Sequence, residues 1–112
     1  MLPKSQRLNL KKDFKWVAGG RRLESKYLKL FIRLGENEFP KVGVAVSSKV
    51  FKKATERNKA KRLVSAVFEA LYGRLPNAVN IVALPKAGIS KVKSGDVLLE
   101  VEEILKSEKI IN

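Results

Sequence analysis

Ala54-Thr55-Glu56-Arg57-Asn58-Lys59-Ala60-Lys61-Arg62-Leu63-Val64-Ser65-Ala66-Val67-Phe68 carries two patterns at once. Ala60, Leu63, Val64, Val67, Phe68 and, beyond the quoted stretch, Leu71 follow in alternating steps of three and one, the signature of one wide apolar side of an α-helix. The spacing predicts a helix over about residues 53–72. Projected at about 100° per residue, Asn58 and Arg62 fall opposite the apolar stripe, with Lys59 and Lys61 beside them. One face of this helix packs and the other presents cations.

Gly73 and Pro76 end that helix. The mostly apolar run Ala78-Val79-Asn80-Ile81-Val82-Ala83-Leu84 between Pro76 and Pro85 then reads as a strand covered on both faces. Lys86 to Lys93 is a basic connecting loop, after which Ser94 is placed to cap a last helix bearing Val97, Leu98, Val101, Ile104 and Leu105, with Asp96 in its first turn. On the other side, Lys41 to Ser47 alternates, with Val42, Val44 and Val46 toward a core and Gly43, Ala45 and Ser47 away from it. Tyr27 to Leu34 alternates too: Leu28, Leu30, Ile32 and Leu34 on one face, Tyr27, Lys29, Phe31 and Arg33 on the other. The polar Gly35 to Pro40 segment reads as a hairpin loop joining these two strands. Leu10, Phe14 and Val17 mark a first helix over residues 10–18, capped by Asn9 and stopped by Gly19-Gly20. The order is α-β-β-α-β-α, with no internal repeat.

The 112 residues fit one domain, 1–112, and a hydrophobic content of 45% is enough to build a core. Absence of Cys and His removes zinc fingers, cysteine hydrolases, Ser-His-Asp chemistry and disulfides. The start Met1-Leu2-Pro3-Lys4-Ser5-Gln6-Arg7 lacks the apolar stretch of a secretory signal, and no run approaches a membrane span, so a cytoplasmic location with no membrane partner is expected. The net charge of +13 calls for a polyanion, because such self-repulsion otherwise opposes compaction. Residues 1–93 hold 22 of the 24 Lys and Arg but only 6 of the 11 Asp and Glu, so the body is basic and the last segment acidic.

Two constellations concentrate that charge. Lys49, Lys52, Lys53, Arg57, Lys59, Lys61 and Arg62 stand in one stretch against a single acid, Glu56. A basic solvated face would serve solubility alone, but the charge of the whole body favours a phosphate-binding surface. Mixed Arg, Lys and Asn suits a folded nucleic-acid backbone better than a base-reading code, although charge by itself does not separate RNA from DNA. In the second constellation Tyr27 and Phe31 alternate with Lys29 and Arg33, which sets stacking surfaces beside phosphate partners for a single strand. If the two strands pair, the small Gly43, Ala45 and Ser47 lie alongside and leave a shallow trough. The first helix must also seat Leu10, Phe14 and Val17, and the same sheet face is available to it. Trp16 points away from that stripe, either flanking the trough or packing. The acids Asp13, Glu24, Glu36, Glu38, Glu56 and Glu69 are scattered, and the helical spacing of Asp96, Glu100 and Glu103 fits a solvated face better than a cation site.

The segment Ala54 to Val64 followed by Phe68 resembles the signature helix of the ribonuclease P protein component family, whose pattern is Arg-Asn-Arg-x-Lys-Arg. Leu10-Lys11-Lys12-Asp13-Phe14-x-x-Val17, Leu28 to Phe31 and Val42-Gly43-Val44-Ala45-Val46-Ser47-Ser48-Lys49 are similar to other parts of that family, so the resemblance spans about residues 5–84. It implies an α+β fold, a two-layer α/β sandwich with a mixed sheet and a left-handed βαβ crossover (ribosomal protein S5 domain 2-like). It also implies a subunit of an endoribonuclease whose RNA, with Mg²⁺, is the catalyst, the protein being inactive alone and binding no cofactor itself. The expected partners are ribonuclease P RNA and precursor tRNA, in a 1:1 complex with monomeric protein. Carried over by position, Arg57, Asn58, Lys59, Lys61 and Arg62, with Lys52 and Lys53 beside them, would face the catalytic RNA. Phe14, Phe31, Ser47 and Lys49 would border the cleft for the 5′ leader of precursor tRNA, where Trp16, Tyr27, Lys29 and Arg33 are further candidates. Lys59 stands where the family usually has Arg, Ser65 and Ala66 replace a common Arg-Glu pair, and Ala18 replaces a frequent aromatic. A ribosomal or other structural RNA-binding protein would share the charge and size but not the ordered signature, and a metal-dependent nuclease acting alone would need acids clustered in the basic surface.

Overall fold

The apolar run predicted to be covered on both faces takes the middle of the sheet. The computed structural model describes residues 2–111, in the order α1 (Leu10–Ala18), β1 (Arg21–Glu24), β2 (Leu28–Leu34), β3 (Lys41–Val44), α2 (Ala54–Leu71), β4 (Val79–Pro85) and α3 (Ser94–Ser107), with short 3₁₀ turns at Lys4–Gln6, Tyr72–Arg74 and Ile89–Lys91. The strand order is β1-β2-β4-β3. β4 is antiparallel to β2 and parallel to β3, so the sheet is mixed and the β3–α2–β4 crossover joins neighbouring parallel strands. Val79, Ile81, Val82 and Ala83 are fully buried, as a central strand demands.

This order corrects the hairpin reading of Gly35 to Pro40. β2 and β3 run in opposite directions as that reading requires, but β4 lies between them. Two strand spacings are about 10 Å, well within the reach of six residues at roughly 3.3 Å each. The loop is stitched to the beginning of β4: the Gly35 N–H donates to the Ala78 carbonyl at 2.8 Å, and the Asn80 amide donates to Asn37 Oδ1 at 2.9 Å. The Asn37 amide in turn donates to the carbonyls of Phe39 and Val79 at 2.6 and 3.3 Å.

α2 and α3 cover one sheet face. Ala60, Val64, Val67, Phe68 and Leu71 of α2 and Val97, Val101 and Leu105 of α3 meet Leu28, Leu30, Ile32, Val42 and Ile81 in the larger core. Phe51 and Leu2 join it from outside the regular elements. Leu34, expected in this core, is 66% exposed because it lies at the end of β2, where the helical layer no longer covers the sheet. β1 is a strand that sequence periodicity did not show. It has a single buried residue, Leu23, and pairs antiparallel to β2. Gly20 before it leaves no room for a Cβ, which would lie 2.5 Å from the Ile32 carbonyl oxygen.

The other sheet face carries α1. Val17 and Leu8 pack on Val82, with Leu10, Phe14, Phe31, Ala45 and Leu84 around them. At the free edge of β3 the N-terminal segment is laid alongside: Arg7 bridges Val42, and the Leu8 N–H donates to the Val42 carbonyl at 3.1 Å. That contact covers part of an otherwise unpaired edge.

Candidate nucleic-acid interface

The exposed side of α2 bears the cations that the helical projection placed there. Lys52, Lys53, Asn58, Lys59, Lys61 and Arg62 are all exposed, while Ala60 and Val64 behind them are fully buried. Arg57 is only partly exposed. Its Nη1 donates to the Phe51 and Lys52 carbonyls at 2.9 and 3.1 Å, which fastens the loop before α2 to the first turn of the helix. Lys53 occupies the N-cap without a side-chain bond. The helix therefore begins with Lys52, Lys53 and Arg57 against the single acid Glu56 at the positive end of its own dipole, an arrangement that favours an anion there.

Glu56 is the acid in the first turn of α2, and several acids on the α3 side are engaged with neighbours. Glu108 pairs with Arg21 at 2.8 Å, Glu102 with Arg74, and Glu100 accepts the Lys26 backbone N–H. The hydrogen bond from Arg74 holds the Glu102 carboxyl below its ordinary pKa, and Lys86, 2.8 Å from Glu24, does the same there. Among the described residues no group of three or more acids could hold a metal ion.

The second constellation is rearranged by the strand order. On the face that carries α1, β2 and β4 set three rows across the sheet: Lys29 opposite Leu84, Phe31 opposite Val82, and Arg33 opposite Asn80. β3 extends the second with Gly43 and the third with Lys41. The small residues of β3 thus lie beside β4 instead of beside Phe31. α1 runs over the middle row. At one end Leu10 lies so close to Gly43 that a Cβ there would meet its Cδ2 at 2.7 Å. At the other, Arg33 Nη1 donates to the Trp16 carbonyl at 3.0 Å.

The helix thereby divides the open sheet face in two. Phe14 belongs with Phe31, Leu84 and Ala45 on one flank, with Lys29 in the adjoining row and Ser47 and Lys49 exposed just past β3. The Lys49 N–H donates to Ser47 Oγ at 3.1 Å, shaping that turn. Trp16 and Arg33 stand on the opposite flank, with the guanidinium 4.8 Å from the ring centroid. Tyr27 separates from both, since it precedes β2 and packs against the larger core, with Lys26 Nζ 5.4 Å from its ring centre. The expectation of one continuous aromatic trough gives way to Phe14 and Phe31 packed, partly buried, about the Val17 and Val82 cluster beside α1, and a separate cleft at Trp16. Sequence reasoning missed Asn80, Lys41 and Leu84 as neighbours of these surfaces: Asn80 and Leu84 sit in a strand read as buried on both faces, and Lys41 meets Asn80 only through the β3–β4 pairing.

A family model for Ribonuclease P matches residues 2–109. The chain belongs to the ribonuclease P protein family. The ribonuclease P protein component of Pseudanabaena is 33% identical over 114 aligned residues, covering 100% of this chain and 98% of that protein. The structure of the Thermotoga maritima RNase P protein superposes with a TM-score of 0.78 at 31% identity, covering 90% of this chain and 96% of that one. The Staphylococcus aureus RNase P protein shares the fold, with a TM-score of 0.81 at 22% identity over 97% of this chain and 100% of that one. As a ribonuclease P protein component, the chain is an RNA-binding subunit of an endoribonuclease complex that processes tRNA.

Proposed function

We propose that the two surfaces divide the labour of the ribonuclease P holoenzyme. The exposed face of α2, with Asn58, Lys59, Lys61 and Arg62 at its centre and Lys52, Lys53 and Arg57 at its start, binds ribonuclease P RNA. The groove bordered by Phe14, Lys29, Phe31, Ser47 and Lys49 holds the 5′ leader of precursor tRNA. The observation that carries this reading is their separation: α2 packs on one sheet face, while Phe14 and Phe31 lie on the other, beside α1. Two RNA segments therefore bind at once without competing. Aromatic faces stack unpaired bases and the lysines meet phosphates, as a single-stranded leader requires.

Chemistry in this reading belongs to the RNA. Its Mg²⁺ ions would activate the water that cleaves the phosphodiester and would steady the leaving oxygen, while the protein positions the substrate and reduces phosphate repulsion. The complex is 1:1, one protein monomer on one ribonuclease P RNA. The test is reconstitution of precursor tRNA processing with a bacterial ribonuclease P RNA at low Mg²⁺. The expected result is cleavage at the mature 5′ end only when RNA and protein are combined. Cleavage by the protein alone, or no effect on the RNA's activity, overturns the proposal.

A further inference from the structure

On the flank of α1 away from Phe14 and Phe31, an open cleft of about 880 Å³ is lined by Lys12, Asp13, Trp16, Gly35, Lys41 and Asn80, with Leu34, Glu36 and Asn37 at its margin. Trp16 is 39% exposed, yet it is held in place. Arg33 braces one side of the ring at 4.8 Å and ties the same residue's carbonyl at 3.0 Å. The far edge of the indole lies against Gly35, where an added Cβ would come within 3.0 Å of Cη2. A large aromatic surface left in water but fixed in orientation is a preformed stacking platform, because binding there costs little side-chain ordering.

Asn80 sits in the wall of this cleft. It is only 4% exposed, and its amide nitrogen is committed to the Arg33 and Ala78 carbonyls and to Asn37 Oδ1. Those three bonds fix the orientation of the amide. Its Oδ1 accepts no bond from the described residues and is not sealed from solvent, which leaves one rigid acceptor available to a ligand. Charges around the cleft balance, Lys12 and Lys41 against Asp13 and Glu36. A bare phosphate gains little there. A planar heterocycle that donates a hydrogen bond, joined to a backbone whose phosphate reaches a lysine, fits both the platform and the acceptor.

We infer that the Trp16–Asn80 cleft is a second RNA site, distinct from the leader groove, which takes one unpaired nucleotide by stacking its base on Trp16 and bonding a base N–H to Asn80 Oδ1. The inference rests on the RNA-binding reading above. The nucleotide comes either from ribonuclease P RNA or from the precursor tRNA, and the same measurement separates the two.

Trp16 is the only tryptophan of the chain, so its fluorescence reports on this cleft alone. The full-length protein is titrated separately with ribonuclease P RNA, with leadered precursor tRNA and with inorganic phosphate, and binding of labelled RNA is followed in parallel by anisotropy. The expected result is quenching of Trp16 and protection from acrylamide by one of the two RNAs, which identifies the source, and no response to phosphate. Trp16→Leu then weakens that RNA about five- to a hundredfold, the range for loss of one stacked base, and Trp16→Phe restores most of the loss. Quenching by phosphate alone overturns the base site. RNA binding by anisotropy with Trp16 emission and acrylamide access unchanged, or equal affinity of Trp16→Leu and the parent, also overturns it while leaving the two-surface reading intact. If neither RNA binds, both fall together.

Discussion

Tyr72 Oη donates a 2.6 Å hydrogen bond to the carbonyl of Pro40. It joins the end of α2 to the loop that delivers the chain into β3, and so fixes the basic helix relative to the sheet edge. Tyr72→Phe removes the donor and leaves a carbonyl on the buried Pro40 without its partner. The expected loss is about 1 kcal/mol, seen as a midpoint roughly 4–8 °C lower in thermal unfolding. Burial raises the Tyr72 pKa above its ordinary value of 10.0. A raised folded-state pKa means that this contribution is complete below the unfolded-state value and is lost as pH climbs through the folded one. The parent should therefore lose stability above pH 10 more steeply than Tyr72→Phe, and an unchanged alkaline slope would contradict the assignment.

The pairing of Glu102 with Arg74 gives the opposite sign at the acid end. Arg74 lowers the Glu102 pKa from 4.5, so its contribution is present above the unfolded-state value and disappears as pH falls through the lower folded one. Glu24, lowered by Lys86, acts in the same direction. Both groups are on the surface, and the effect is therefore small and screened by salt. Unfolding by urea between pH 5 and 3 should show a shallower acid loss for Glu102→Gln than for the parent at low ionic strength, with the two converging in high salt.

Gly43 is where α1 comes down on the sheet. A Cβ there would meet Leu10 Cδ2 at 2.7 Å and Leu8 Cβ at 3.2 Å. The Leu10 tip can swing aside, but the Leu8 Cβ moves only with its backbone, which is bonded to Val42. Gly43→Ala should cost about 1–3 kcal/mol by overpacking and should shift the N-terminal end of α1. In the proposed division of labour α1 walls the leader groove, so affinity for leadered precursor tRNA should fall further than affinity for ribonuclease P RNA. Equal losses on both RNAs would show that α1 does not shape the groove by itself.

These relationships show which parts of the molecule could be read from sequence. α2 was legible because Ala60 to Leu71 repeats with helical period over about three turns, and β2 because Leu28, Leu30 and Ile32 alternate without interruption. β1 was not, since a four-residue edge strand with Leu23 as its one buried side chain carries no periodicity to detect. Insertion of β4 between β2 and β3 is a pairing between residues some fifty positions apart, while local turn chemistry at Gly35 to Pro40 argued for the nearer partner. The same non-local choice hid the cleft at Trp16, whose walls come from α1, the β2–β3 loop and β4. The cations of α2 were visible as a face, but the use of Arg57 Nη1 to hold the preceding loop depends on Phe51 turning into the core, which no spacing reveals.

Arg62 and Phe31 give the sharpest separation of the two proposed surfaces. Arg62 is exposed on α2, so Arg62→Ala should weaken binding to ribonuclease P RNA and reduce the slope of log affinity against log salt by roughly 0.7–0.9, the value for one lost phosphate contact. Its effect should be the same whether or not the substrate has a leader. Phe31 lies on the other face, beside α1, and stacking is largely independent of salt. Phe31→Ala should leave the affinity for ribonuclease P RNA and its salt slope near the parent values, and should weaken leadered precursor tRNA by about five- to a hundredfold relative to mature tRNA. Because the residues lie on opposite sides of the sheet, the double variant should show additive free-energy losses. Strong coupling between them, or loss of the same step by both, would mean that one RNA segment spans both faces and would refute the division of labour.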